Sequence, residues 1–240
     1  MILPFELVIQ YRQNIDAKVN VVFVGHYGIS LAGKAVKRTV PLWVLFIAVQ
    51  WIDVLWAIFV LMGIEKVRIV PGITATNPLD LYYMPYTHSL VATVVWSILG
   101  FVFYKLFFRR DTQRGAIIVG VAVFSHWVLD FIVHRPDLPL YDNAMKVGLG
   151  LWNYPLVAFA LEVVILFAGI YFYLRNATPF RGVGVYGMIV FGLVLVAIQG
   201  LVFFGAPPTS DKAAALTALI SYLVFAAVAA WLDKKRQYSK

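Results

Sequence analysis

Phe124-Ser125-His126-Trp127-Val128-Leu129-Asp130-Phe131-Ile132-Val133-His134 is apolar but for one serine, one aspartate and two histidines. The histidines and the aspartate recur every four residues, which on a helix lays His126, Asp130 and His134 along one slowly drifting stripe. The apolar run around them is long enough to cross a bilayer, where ionisable side chains are expensive and usually functional. The stretch therefore reads both as a membrane helix and as one wall of a metal site.

The composition agrees with the first reading. The 240 residues are 62% hydrophobic and 13% charged, against about 25% charged in an ordinary soluble domain. There is no cysteine, so disulfides and thiolate ligands are excluded and a metal must be held by nitrogen and oxygen. The net charge of +8 fits basic loops on one side of a membrane, with no call for a nucleic-acid partner.

Outward from the opening stretch, six segments have spanning length: 41–63, 87–108, 115–135, 153–175, 183–205 and 213–232. The predicted fold is all-α, a polytopic membrane helix bundle. Residues 21–35 are apolar but too short to span, and Lys34, Lys37 and Arg38 close them, so an interfacial or re-entrant helix is expected there. Residues 1–20 read as an N-terminal extension to a single transmembrane domain, 21–240. Basic residues mark every second connection: Lys34, Lys37 and Arg38 before the first span, Lys105, Arg109, Arg110 and Arg114 after the second, Arg175 and Arg181 after the fourth, and Lys234, Lys235 and Arg236 after the sixth. That pattern predicts both termini on the cytoplasmic side. Tyr82, Tyr83, Tyr86 and Trp152 in the outer connections suit an interfacial aromatic belt, and Gly184, Gly187, Gly192 and Gly200 suit close helix packing.

The polar residues inside the spans are few. Gln50 and Asp53 lie on one face of the first, His88 opens the second behind Pro85 and a Thr87 N-cap, and Glu162 sits at mid-depth in the fourth. In the predicted topology Asp53, His88, Asp130 and His134 fall at one depth, although they come from three separate segments. His26 joins them only if 21–35 dips into the membrane; alone it reads as a packing histidine. Imidazole with carboxylate is the usual ligand set for zinc and related divalent ions. An open coordination position turns a bound water into a nucleophile at neutral pH, and two metals sharing Asp53 or Asp130 would clamp a phosphoryl displacement. Gln50, Thr87 and Ser89 are candidates for hydrogen bonds around ligands or substrate, and Arg135 for an anionic substrate group. Glu162 reads as ligand, proton acceptor or bundle-facing hydrogen bonder; Asp137 reads as a solvated turn residue, with a general base as the alternative.

Phe23-Val24-Gly25-His26-Tyr27-Gly28, Asp53, Thr87-His88-Ser89-Leu90, and Ser125 to Asp130 followed by His134-Arg135-Pro136-Asp137 resemble the bacterial membrane-bound metal-dependent hydrolases, the LexA-regulated inner-membrane hydrolases. The resemblance runs from Val22 to Pro155; the last two spans match only in being apolar. The order of Asp, His and His-x-x-x-Asp is similar to that of zinc-dependent phospholipase C and related nucleases. The resemblance implies His26, Asp53, His88, His126, Asp130 and His134 as metal ligands, zinc as the metal, a bacterial inner (plasma) membrane and a phosphoester substrate. The soluble enzymes carry a further His and Glu after His-x-x-x-Asp, whereas Glu162 is the later candidate here. A three-metal site is therefore not carried over.

The expectation is a membrane-embedded, metal-dependent hydrolase acting on a phosphoester of a lipid or lipid-linked substrate. His88, His126, Asp53 and Asp130 hold the metal, and Asp53, Asp130 and Glu162 are the catalytic carboxylates. The alternatives are a divalent-ion or proton transporter that uses the same residues as its pathway, and a non-catalytic scaffold with a structural metal.

Overall fold

The first predicted span is not one helix. In a computed structural model, which describes residues 23–108, 113–176, 178–179 and 183–237, it is α2 (Leu42–Val49) followed by α3 (Trp51–Leu61). The two are bent by 56° at Gln50. Before them comes α1 (Gly25–Val36). After them come an antiparallel hairpin of β1 (Lys66–Ile69) and β2 (Leu79–Tyr83), then α4 (Leu90–Phe107) and α5 (Gln113–Val133). A 3-10 turn (Leu151–Asn153) leads into α6 (Pro155–Arg175), and the chain continues through β3 (Thr178–Pro179), α7 (Val183–Phe204), α8 (Asp211–Asp233) and β4 (Arg236–Gln237). The expected extension 1–20 lies outside the described residues.

The fold is all-α apart from these short strands. Five helices are long and apolar enough to cross a membrane, or six if the bent pair counts as one span, which makes this a multi-pass membrane protein. Helix α4 illustrates the environment. It leaves Val94, Ile98, Val102 and Phe103 exposed, while its buried residues are Thr93 and Tyr104. In water this pattern would be inside out; against lipid, apolar residues outward and polar groups inward is the stable arrangement.

The helix ends refine the sequence reading. Helix α4 begins at Leu90, and its cap is Ser89 rather than Thr87: Ser89 Oγ accepts the Ala92 N–H at 3.1 Å. Such a cap is worth about 1 kcal/mol. Helix α5 stops at Val133, so His134 leaves the helix that carries His126 and Asp130. Helix α1 does not lie on a surface. It buries Gly25, His26, Tyr27, Gly28, Ser30, Leu31 and Lys34, and Gly28 and Gly169 let its backbone press against that of α6.

Three of the basic segments, the one before the first span, the fourth connection and the tail, meet at one end. Lys34 Nζ pairs with Asp233 at 2.9 Å, Arg38 donates to Asn176 Oδ1 at 3.4 Å, and β3 pairs with β4. The opposite end carries the β1–β2 hairpin and the 136–152 connection. The site lies between the bend at Gln50 and this second end, on α1, α3, α5 and the segment before α4.

Candidate metal centre

The bend at Gln50 places the first ligand. Asp53 sits in the first turn of α3, and the Val54 N–H returns to the Gln50 carbonyl at 2.8 Å. The Val49 carbonyl takes the Nδ1–H of His126 from α5 instead, at 2.7 Å. One irregularity therefore positions Asp53 and orients His126. His88 is set in the segment between β2 and α4, which Glu65 pins: Glu65 Oε1 accepts the N–H groups of Tyr86 (2.9 Å) and Thr87 (3.0 Å), and Oε2 accepts the Thr87 hydroxyl (2.6 Å). Burial pushes the Glu65 carboxyl above its ordinary range, and these hydrogen bonds hold the rise back.

All four histidines of the chain converge here, and each is oriented the same way. His126 donates through Nδ1 to Val49, and His26 through Nδ1 to the Phe23 carbonyl at 3.3 Å. His88 Nδ1 is 2.8 Å from Thr87 Oγ; because that hydroxyl donates to Glu65, it accepts from His88. His134 donates through Nδ1 to Asp137 Oδ1 at 2.9 Å. With every Nδ1 so committed, each ring in its neutral form presents the Nε2 lone pair to the two aspartates.

The distances describe a ligand cage. Asp53 Oδ1 lies 3.2 Å from His88 Nε2 and 3.5 Å from His126 Nε2. Asp130 Oδ2 lies 3.1 Å from His126 Nε2 and 3.7 Å from His88 Nε2. A tetrahedral ion with bonds of 2.0–2.1 Å needs ligand atoms about 3.3 Å apart. His26 and His134 flank this set across Asp130, with His26 Nε2 3.5 Å from Oδ1 and His134 Nε2 3.8 Å from Oδ2. The Nε2 atoms of His26 and His126 have no hydrogen-bond partner among the described residues. Buried acceptors aimed at carboxylates repel unless a cation lies between them, so the donor set fits a divalent metal. Two overlapping groups can hold an ion, His26–His126–Asp130 and Asp53–His88–His126, and all their members are buried.

The remaining sequence-predicted residues stand elsewhere. Glu162 is buried, but its Oε2 accepts the Gly25 N–H at 2.5 Å, placing a carboxylate at the α1 N-terminus, where the helix dipole favours it. Arg135 is engaged by Asp80, and its Nε donates to Asp137 Oδ2 at 3.0 Å, so it braces the carboxylate that holds His134. Asp137 is buried, not a solvated turn residue. Gln50 is fully buried at the bend. Ser89 caps α4 and donates to the Pro85 carbonyl at 2.8 Å. Trp152 is not in an aromatic belt; it is buried against His134 with ring centroids 4.0 Å apart.

Sequence reasoning passed over Tyr222. Its hydroxyl donates to Asp53 Oδ2 at 2.6 Å, leaving Oδ1 for the histidines. The available signal was a tyrosine near the middle of α8, away from either interface, where its hydroxyl needs a partner. Glu65 was passed over as well, since it lies outside the predicted spans.

Comparison with protein-family models, curated proteins and solved structures returns no match for this chain.

The Glu65–Thr87–His88 chain yields an expected result. Thr87→Val keeps the side-chain shape and removes the acceptor for the His88 Nδ1–H. Zinc affinity, measured by competition with a chromophoric chelator, falls about 10- to 100-fold. Affinity at the wild-type level would show that this chain does not orient His88.

Proposed function

We propose that this protein is an inner-membrane, metal-dependent hydrolase, with zinc as the metal, that cleaves a phosphoester in a lipid or lipid-linked molecule. One observation carries the reading: four histidines commit Nδ1 to the surrounding protein and turn Nε2 toward Asp53 and Asp130. Neither ion pairing nor packing requires that uniform orientation, whereas metal ligation does. The motif resemblance supplies the phosphoester class, and the basic residues gathered at one end support cytoplasmic termini.

In this reading Asp53, His88, His126 and Asp130 hold the metal, which when bound supplies Lewis-acid polarisation and nucleophile activation at neutral pH. Tyr222 holds Asp53 in register through Oδ2. His134, backed by Asp137, is a proton carrier: Asp137 fixes the ring, and Nε2 is free to accept a proton and return it to a leaving group. Glu162 holds α1, and with it His26, rather than serving as general base.

The test uses the full-length protein in liposomes, loaded with zinc, against soluble and lipid phosphoesters. Turnover is expected in the wild type and falls by at least about 100-fold in Asp130→Asn. A metal-loaded protein that cleaves no phosphoester but moves zinc across the liposome membrane would replace this reading with the transporter.

A further inference from the structure

We propose that the cleft on the hairpin side of the centre is an oxyanion pocket, in which the N–H groups of Trp56, Asn77 and Trp152 bind one non-bridging oxygen of a singly charged phosphodiester. The proposal rests on the metal-dependent hydrolase reading above and specifies its substrate class.

The cleft has a cavity volume of about 10 Å³, on the scale of one oxygen-sized group. Asp53, His88, Asp130 and His134 line one side, and Trp56, Asn77 and Trp152 line it as well. These last three come from α3, from the turn between β1 and β2, and from the 3-10 turn before α6. Each is more than nine-tenths buried, and each has a nitrogen donor without a partner among the described residues: Trp56 Nε1, Asn77 Nδ2 and Trp152 Nε1. Unpaired buried donors are costly and uncommon; three such residues lining one cavity beside a ligand cage point to a guest.

The donors also specify its chemistry. An indole nitrogen only donates. Asn77 Oδ1 accepts the Leu79 N–H at 3.0 Å, which fixes the carboxamide so that Nδ2 is the free end. The pocket therefore asks for an acceptor, which excludes an ammonium group. The donors are held in place by the ligands' own rings. Trp152 packs on His134 and stacks on Phe23 with centroids 5.4 Å apart, and Trp56 meets His88 edge-on at 6.4 Å.

Charge narrows the class further. Among the described residues no lysine or arginine lines the cavity, and Arg135 is engaged by Asp80 and Asp137. A divalent ion only balances Asp53 and Asp130. A monoanionic diester is thus accommodated more readily than a dianionic monoester. The ester substituents have a place as well. A second cavity of about 150 Å³ shares Phe23, Asn77 and Leu79 with the cleft and runs between the 71–78 turn and the segment after α7. Asn77 stands at the junction of the two.

The experiment uses the zinc-loaded, full-length protein with ¹⁵N-labelled tryptophan, titrated with dimethyl phosphate and, as control, tetramethylammonium chloride. Of the seven indole signals, two shift with dimethyl phosphate and none with the cation; the two are identified by their loss in Trp56→Phe and Trp152→Phe. Asn77→Asp keeps the acceptor for Leu79 and replaces the donor with a negative charge, and its dimethyl phosphate affinity falls at least about tenfold at unchanged zinc content. Zinc bound with both indole signals unmoved, or wild-type affinity in Asn77→Asp, overturns the pocket alone. A wild type that takes up no zinc overturns both the pocket and the hydrolase reading.

Discussion

His126→Ala is expected to abolish metal binding, lowering zinc affinity by more than about 100-fold, beyond the range seen for groups that merely support a ligand. His126 belongs to both groups of residues able to hold an ion, and it is the ring that lies between the two aspartates, 3.1 Å from Asp130 and 3.5 Å from Asp53. Its loss leaves two buried carboxylates facing His88 alone among the four central ligands. Such uncompensated charge typically costs about 3–5 kcal/mol. Two measurements check this. Bound zinc in the purified protein drops to background. The thermal stabilisation that zinc gives the wild type, about 2.7 kcal/mol at a free concentration 100 times the dissociation constant, disappears. His26→Ala is the comparison: it removes a flanking histidine and leaves the four-ligand set whole, so most of the zinc stays. Equal retention by both variants would place the ion somewhere other than between Asp53 and Asp130.

Gly169→Leu is expected to have the largest effect on stability. A side chain at Gly169 would run into the backbone of Gly28, and one at Gly28 into the Ile165 carbonyl. The obstruction is main chain on both sides, so no rotamer change relieves it. Overpacking a well-filled interior ordinarily costs about 1–3 kcal/mol, and a backbone clash belongs at or above the top of that range. Helix α1 must then move away from α6, taking His26 from Asp130. Reduced yield from the membrane fraction and a lower unfolding temperature in detergent follow. Gly200→Leu serves as control, because a Cβ there has its nearest neighbour, Phe159, at 4.0 Å. If Gly169→Leu melts like Gly200→Leu, the close contact of α1 and α6 does not hold the bundle together.

The sequence carried much of this site because membrane burial makes polar residues conspicuous. His126, Asp130, Asp53 and His88 stood out as ionisable groups in apolar spans, and positive loops supplied a common depth for them. What did not stand out follows a rule. Hydropathy does not register the bend at Gln50, since Val49 and Trp51 continue the apolar run without a proline or glycine. Tyr222, Trp56 and Trp152 are amphipathic aromatics, and in a list of residues they look like packing or interface; their donors matter only once neighbours are fixed. Arg135 and Ser89 have the right chemistry for substrate but are spent on Asp137 and on capping α4. Of the glycines in α7, Gly192 does allow close packing, against Ile170 of α6, and Gly200 does not; the approach of main chain to main chain is made by two glycines distant in sequence, Gly28 and Gly169, which no local glycine-rich run announces.

The bend at Gln50 has a consequence for how this site tolerates change. His126 is oriented by a carbonyl, and every amino acid has one. Position 49 can thus vary in side chain, within the limits of packing, without altering what His126 receives. A single inserted or deleted residue between Val49 and Asp53 is another matter. It would swing the carboxylate about 100° around the α3 axis, away from His88, with every side chain of the site intact. The centre is encoded there by spacing rather than by spelling, so its weakest point is one that no substitution scan would find.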